Sequence, residues 1–414
     1  MMSLNKSDKK QNNMDFKVRK SASLMLIIGI IFIAANLRAP LTSVGPLVKF
    51  IRDNLHISNT LAGMITTLPL FAFALFSPIA PRLGRKFGVE LVLLLSVIFL
   101  TVGIILRSLS GVAGLFIGTA IIGLAISVAN VLIPSLIKRD FSEKIGVMTG
   151  VYSISMNTFG AIASGISVPI ATRLGLKWSG ALGIWGILSF ISIILWLPQV
   201  KRNDERVSEG YKTVSSNVNL WKSSLAWQVS LFMGLQSLVF YSMVAWMPEI
   251  LMQKGMSSNR AGWMLSLMQL ALIPFTFIVS VLAGRRSNQR SLVISGCLFI
   301  LIGILGLLYG SSQFVFLCII ILGIGGGFAF SLSMMFFSLR TENSNEAAQL
   351  SGMAQSFGYL LAAFGPILFG FLHDVTNGWK VPLQALIGIT ALLFIFGLGA
   401  SRNRYVGSSL KVVR

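Results

Sequence analysis

Residues 22–48 read ASLMLIIGIIFIAANLRAPLTSVGPLV, a long apolar run broken by a single charge, Arg38. A helix needs roughly 20 apolar residues to cross the hydrocarbon core of a bilayer, so this run reads as a membrane span. It is too long for a signal-peptide core and has no small-residue cleavage pattern, so the span is expected to remain uncleaved. Arg38 lies about 15 residues into it, roughly 20 Å along a helix, which is near or just beyond the midplane. A guanidinium at that depth costs at least about 2.5 kcal/mol and calls for a partner. No Asp or Glu lies within the apolar core of any such run in the chain. An anionic ligand is therefore the expected partner of Arg38; the alternative is capping of backbone carbonyls near Pro40 and Gly45.

Runs of this kind recur along nearly the whole sequence. They lie at about 22–48, 60–81, 89–108, 112–137, 146–171, 180–198, 225–250, 260–283, 291–309, 313–338, 348–371 and 381–400. The chain is 54% hydrophobic and 11% charged, with a mean hydropathy of +0.80. A soluble chain would be about 25% charged. The composition therefore indicates an all-α integral membrane protein of twelve spans. A membrane barrel is excluded, because its strands would be short and alternating.

The net charge of +21 raises the question of a nucleic-acid partner, and its distribution answers it. With the N-terminus placed in the cytoplasm, 25 of the 34 Lys and Arg fall on the inner side and 8 on the outer side. That asymmetry satisfies the positive-inside rule and predicts that both termini are cytoplasmic. The basicity reports orientation and contact with anionic lipid, not nucleic acid. Residues 1–21 are polar and rich in Lys, Asn and Ser, and read as a disordered tail. Cys297 and Cys318 fall inside spans and read as small apolar packing residues, with no disulfide or metal framework.

The hydrophilic stretch at 199–224 divides the spans six and six. The expected organisation is an N-terminal bundle at 22–198, a cytoplasmic central loop at 199–224, a C-terminal bundle at 225–400 and a tail at 401–414. A shift of 202 residues superposes the halves, pairing Pro46 with Pro248, Gly123 with Gly325, Lys138 with Arg340, and Gly150 with Gly352. This is a parallel repeat, and substrate in such transporters binds near the midplane between the repeats. The shift also maps Ser153 and Asn157, four apart on one helical face, onto Gln355 and Tyr359. Paired polar stripes in equivalent helices are expected to line a central cavity, or else to hydrogen-bond between helices.

The segment Ser77-Pro78-Ile79-Ala80-Pro81-Arg82-Leu83-Gly84-Arg85-Lys86 resembles the signature loop of the major facilitator superfamily. Arg82, Gly84, Arg85 and Lys86 fit that pattern, while Ser77 replaces its first glycine and Pro81 its aspartate. A narrower resemblance, to the cyanate/2-nitroimidazole transporter branch, rests on Asn36-Leu37-Arg38-Ala39-Pro40 and Asn130-Val131-Leu132-Ile133-Pro134. The run Gly234-Leu235-Gln236-Ser237 with Tyr241, Trp246 and Pro248 fits as well. The resemblance implies a transporter of a small polar or anionic solute, with Gln236 at the family's polar position in span 7.

The expected substrate-binding set is Arg38, Asn130, Ser153, Asn157, Gln236, Tyr241, Gln355 and Tyr359, with Gln269 as a weaker candidate. Arg82, Gly84, Arg85 and Lys86 are expected at an inner gate. For Asn130 a second reading stays open, satisfying backbone groups freed by Pro134. Asn36 lies on the opposite side of its helix from Arg38 and reads as a packing residue. No cofactor, metal or catalytic group is expected, and the protein is expected to be a monomeric transporter and not an enzyme. No Walker motif is present, and the glycines at 323–327 lack the context of a phosphate loop. Efflux of lipophilic drugs is the rival function, which a lone buried arginine suits poorly.

Overall fold

A computed structural model describes residues 6–57, 59–109, 111–208 and 219–407. Residues 1–5, 209–218 and 408–414 of the expected tails and central loop lie outside the described residues. Among those described, every regular element is helical. The first half comprises α1 (Lys6–Thr42), α2 (Val48–Leu55), α3 (Asn59–Phe76), α4 (Ala80–Phe87) and α5 (Val89–Leu109). It continues with α6 (Gly111–Asp140), α7 (Ile145–Thr172), α8 (Lys177–Gly183) and α9 (Trp185–Ser208). The second comprises α10 (Ser224–Gln253), α11 (Ser258–Arg285), α12 (Arg290–Tyr309), α13 (Val315–Leu339), α14 (Ser344–Thr376) and α15 (Lys380–Ala400).

Among the described residues, eleven segments are long and apolar enough to cross a membrane, and a twelfth forms if α3 and α4 count as one bent span. The bend there is 57°, and its cause is local. Pro78 lacks the N–H that would continue α3, and Pro81 sits in the first turn of α4, where a missing N–H costs nothing. The span expected at 60–81 is thus broken after Phe76, and the expected basic turn is a short helix.

Two other boundaries differ from expectation. Helix α1 begins at Lys6, inside the stretch expected to be disordered. Residues 6–21 contain no Gly or Pro, so an established apolar helix propagates into them cheaply. Helix α9 likewise runs through Pro198 to Ser208, into the expected central loop.

The helices form two bundles. Their outward faces are apolar: Ile187, Phe190, Ile194 and Leu197 on α9 are all exposed, as are Phe364, Ile367, Phe371 and Val375 on α14. Exposed apolar stripes of that length suit lipid, not water. The end of the molecule carrying α4, the starts of α7 and α14 and the ends of α6 and α13 is called the basic end below.

Two seams close the bundles against each other there, and the 202-residue repeat relates them. One packs α7 on α11, the other α14 on α3. At the first, a methyl added to Gly146 would sit 2.6 Å from the Ser280 carbonyl oxygen. At the second, a methyl on Gly352 would sit 2.8 Å from the Ser77 carbonyl oxygen and 3.1 Å from Pro81. Hydrogen bonds reinforce the closure. Ser135 donates to Ser344 O (2.7 Å) and Ser356 to Ala74 O (2.6 Å). Lys138 crosses from α6 to the end of α13, donating to Ser338 O (2.6 Å) and to Thr341 O.

Arg340, the repeat mate of Lys138, does something different. Its buried guanidinium donates to Ala400 O (2.7 Å), Ser401 O (3.0 Å) and the Gln289 side chain, stapling the end of α15 to its own bundle. Replacement by an apolar side chain leaves two carbonyls unpaired at roughly 1–3 kcal/mol each. Arg340→Met is therefore expected to lower the thermal midpoint by roughly 5–10 °C. Differential scanning fluorimetry of the purified protein checks this; an unchanged midpoint would contradict it.

Candidate functional site

Arg38 stands on the last turns of α1, where the two bundles face each other. The end of α1 is fixed from several directions. Thr42 Oγ1 lies within hydrogen-bond distance of Arg38 O (3.1 Å) and of Gly160 O on α7 (2.8 Å). Arg107 donates to Pro40 O (2.7 Å), a carbonyl at the helix end with few other partners. Gly160 lets the aliphatic stem of Arg38 lie flat on α7, since a methyl there would be 3.2–3.3 Å from its Cβ, Cγ and Cδ.

The charged head is held lightly. It donates to Asn157 Oδ1, and Asn157 is itself oriented by donating Nδ2 to Ser153 O (2.8 Å). From the opposite bundle come two aromatic faces, with Cζ 5.1 Å from the Phe240 ring and 5.6 Å from the Phe330 ring. Such contacts contribute about 0.5–2 kcal/mol each and leave the in-plane donors of the guanidinium free for a ligand. Among the described residues, no carboxylate pairs with Arg38.

Two connected cavities meet at this residue. One, of about 320 Å³, is bounded by Arg38, Gln236, Ser237, Phe240, Tyr241, Leu272, Gly326, Phe330 and Tyr359. The other, of about 250 Å³, adds Thr42, Asn157, Gly160 and Gln269. Arg38, Asn157, Gln236, Tyr241 and Tyr359 are therefore brought together, and the weaker candidate Gln269 joins them.

Asn130, Ser153 and Gln355 do not line these two cavities in the conformation described. Ser153 and Gln355 each lie one turn nearer the basic end than Asn157 and Tyr359, inside the closed seam. Ser153 is fully buried and its hydroxyl has no partner. Gln355 donates to Asn130 O (3.0 Å) and Ser351 Oγ (2.8 Å), and Asn130 accepts from Tyr152 OH (2.8 Å). A stripe with a four-residue repeat shares one helical face, but that face runs past the cavity floor into the seal. Asn36 is buried against α9, donating to Ser192 Oγ (2.7 Å).

Phe330, Thr42 and Gly160 were not singled out from the sequence, because such residues recur throughout the spans, and Gly326 was read only as one of the glycines at 323–327. Phe240 carried a signal, as the repeat mate of Arg38, and its ring is the nearer of the two that the guanidinium covers. Arg107, at the outer end of the apolar run at 89–108, is wholly buried. Among the described residues, its Nε and Nη2 have no hydrogen-bond partner.

The sequence profile described as "Major Facilitator Superfamily" matches residues 24–366 and 244–411. The chain belongs to the major facilitator superfamily. An uncharacterized transporter of Bacillus subtilis (strain 168), YycB, is 48% identical over 394 residues, covering 95% of this chain and 97% of the relative. The 2-nitroimidazole transporter of Escherichia coli (strain K12) is 38% identical, covering 92% and 97%. The cyanate transport protein CynX of the same organism is 23% identical, covering 90% and 97%. These relatives place this transporter in the cyanate/2-nitroimidazole branch. The solved structure of a proton:xylose symporter, XylE, superposes with a TM-score of 0.74 at 13% identity, covering 93% of this chain and 98% of that one, which shows the shared fold.

In this facilitator the signature loop is built on α4. Gly84 is buried where a methyl would meet Leu132 of α6 at 2.9 Å, and Arg85 donates to Asn345 Oδ1 of α14 (3.2 Å). Arg82 and Lys86 are exposed, with the Lys86 ammonium 5.0 Å from the Phe87 ring. Pro81, which stands in place of the family's aspartate, packs on Gly352. The cross-bundle contact at that position is steric, where a carboxylate would have made it ionic.

Proposed function

We propose that this membrane protein is a secondary transporter that moves a small anionic or polar solute across the cytoplasmic membrane by alternating access. Both termini lie in the cytoplasm, the protein works as a monomer, and the cavity at Arg38 binds the solute. The observation that carries this reading is a guanidinium at membrane depth whose one hydrogen-bonded side-chain partner is the neutral Asn157. A planar fork of donors suits a carboxylate, a nitro group or a pseudohalide. Gln236, Tyr241 and Tyr359 supply neutral hydrogen bonds from the other bundle. The names of two relatives, a 2-nitroimidazole transporter and a cyanate transport protein, fit a solute of this kind. With the basic end in the cytoplasm, the seams described above close the inner side. Arg82, Gly84, Arg85 and Lys86 then form part of the inner gate.

Counterflow in proteoliposomes tests the reading. Labelled cyanate and labelled 2-nitroimidazole are offered to vesicles preloaded with the unlabelled compound. Saturable accumulation of at least one of them, lost in Arg38→Gln, is the expected result. Absence of counterflow for both, with resistance to lipophilic cationic compounds in cells carrying the gene, would favour drug efflux instead.

A further inference from the structure

Helix α13 carries the run Gly323-Ile324-Gly325-Gly326-Gly327, and its four glycines are not equivalent. Three are closed in by neighbouring helices. A methyl on Gly323 would collide with the Met268 carbonyl oxygen, one on Gly325 would sit 2.7 Å from Ile300 N, and one on Gly327 would sit 2.7 Å from Leu272 O. Those three serve close helix packing. Gly326 does not, because the nearest atom to its added methyl is Leu272 Cδ1 at 3.4 Å, an ordinary contact.

Gly326 instead lines two neighbouring spaces. It borders the Arg38 cavity, and it also borders a narrow lobe that runs into the C-terminal bundle among α10, α11, α12 and α13. The lobe's deep walls are Val239, Met243, Met268, Ile300 and Leu322. Gln236, Phe240, Leu272 and Gly326 line both the lobe and the Arg38 cavity, so the boundary between the two runs past them. Gln236 is 94% buried there (6% exposed); its Nε2 donates to Ser237 Oγ (2.7 Å), and its Oε1 meets no protein donor among the described residues. A cavity with apolar walls, one unspent acceptor and a cation at its entrance has the layout of a site for an amphipathic anion.

We propose that this lobe receives the apolar body of a substrate whose anionic group is held by Arg38, and that Gly326 sets how large a body enters. The proposal rests on the reading of Arg38 as the anion site. The substrate class is accordingly an organic anion with a ring or short apolar substituent, of which a compact inorganic anion uses only the Arg38 end. Met243 and Met268 on the walls can adjust to more than one shape.

Binding of nitrate and of 4-nitrobenzoate to the purified full-length protein, measured by calorimetry, tests it. The wild type is expected to bind 4-nitrobenzoate at least tenfold more tightly than nitrate. Gly326→Val should weaken 4-nitrobenzoate at least tenfold more than it weakens nitrate. Gly326→Ala, whose methyl fits the backbone, should give a smaller loss in the same direction. Unchanged 4-nitrobenzoate binding in both variants would overturn the lobe, and so would equal losses for both anions, which would make Gly326 a packing residue. Arg38→Gln separates this failure from failure of the anion site: loss of both anions supports that site, and retention of both would overturn it.

Discussion

Arg38→Gln is expected to weaken the binding of small anions about 100-fold or more while leaving the thermal midpoint of the unliganded protein within a few degrees. A charge-assisted contact in a desolvated site is worth about 2–5 kcal/mol when one partner is truncated, which corresponds to roughly 30-fold to several-thousand-fold. Stability is spared because the guanidinium anchors nothing else that glutamine cannot hold. Its hydrogen-bonded partner is Asn157 Oδ1, which a glutamine amide can also satisfy, and the end of α1 is fixed by Thr42 and Arg107. Arg38→Lys should recover part of the affinity, since the charge returns without the planar fork. Calorimetry with nitrate and scanning fluorimetry of the same samples check both statements. A large fall in midpoint with no change in affinity would make Arg38 a structural residue.

Arg38 also shows how much of the site was legible beforehand. A charge inside an apolar run is visible in any sequence, and the cost of burying it identifies it as special whatever surrounds it. The 202-residue repeat then named Phe240 as its counterpart, and the ring does lie against the guanidinium. Why Asn130, Ser153 and Gln355 lie in the seam while Asn157 and Tyr359 line the cavity is something that periodicity cannot supply. Helical spacing tells which face a residue occupies, but not at which height the cavity ends and the seal begins. That height depends on which conformation the bundles adopt. Arg107 was missed because a charge near the end of a span reads as a loop residue until packing shows the helix continuing around it. The twelve apolar runs were plain from composition, but the break at Phe76 and the continuations of α1 and α9 depend on turn chemistry and propagation at helix ends, where hydropathy carries little information.

Gly352→Val is expected to drive the transporter out of the conformation described here. The added side chain would meet the Ser77 carbonyl oxygen, a backbone atom that cannot swing aside, together with the Pro81 ring. Overpacking of this kind costs typically 1–3 kcal/mol, and the strain disappears once α14 and α3 separate. A difference of that size shifts a two-state population by roughly 5-fold to 150-fold. Spin labels at Lys86→Cys and Glu342→Cys, on opposite sides of this seam, read the result in a background with Cys297 and Cys318 replaced by alanine. The expected outcome is a longer, broader distance distribution in Gly352→Val than in its parent. Gly146→Val, which strains the repeat-related seam between α7 and α11 at the Ser280 carbonyl, should move the same pair in the same direction. Unchanged distances in both variants would mean that the seams do not gate the basic end.

The two expectations bear on different parts of one mechanism. A solute that accepts from the in-plane donors of Arg38 on α1, beside the rings of Phe240 and Phe330, touches both bundles at once. It can therefore favour the states in which those surfaces face each other. In the proposed cycle, the glycine seams then set how readily the basic end opens.

The most direct measurement is a structure of the protein with 4-bromobenzoate, in which anomalous scattering locates the bromine independently of side-chain interpretation. The account predicts the carboxylate on the in-plane donors of the Arg38 guanidinium, within hydrogen-bond distance, with the guanidinium still against Phe240 and Phe330. An ordered ligand elsewhere in the molecule, with Arg38 still bonded to Asn157 and nothing else, would contradict it.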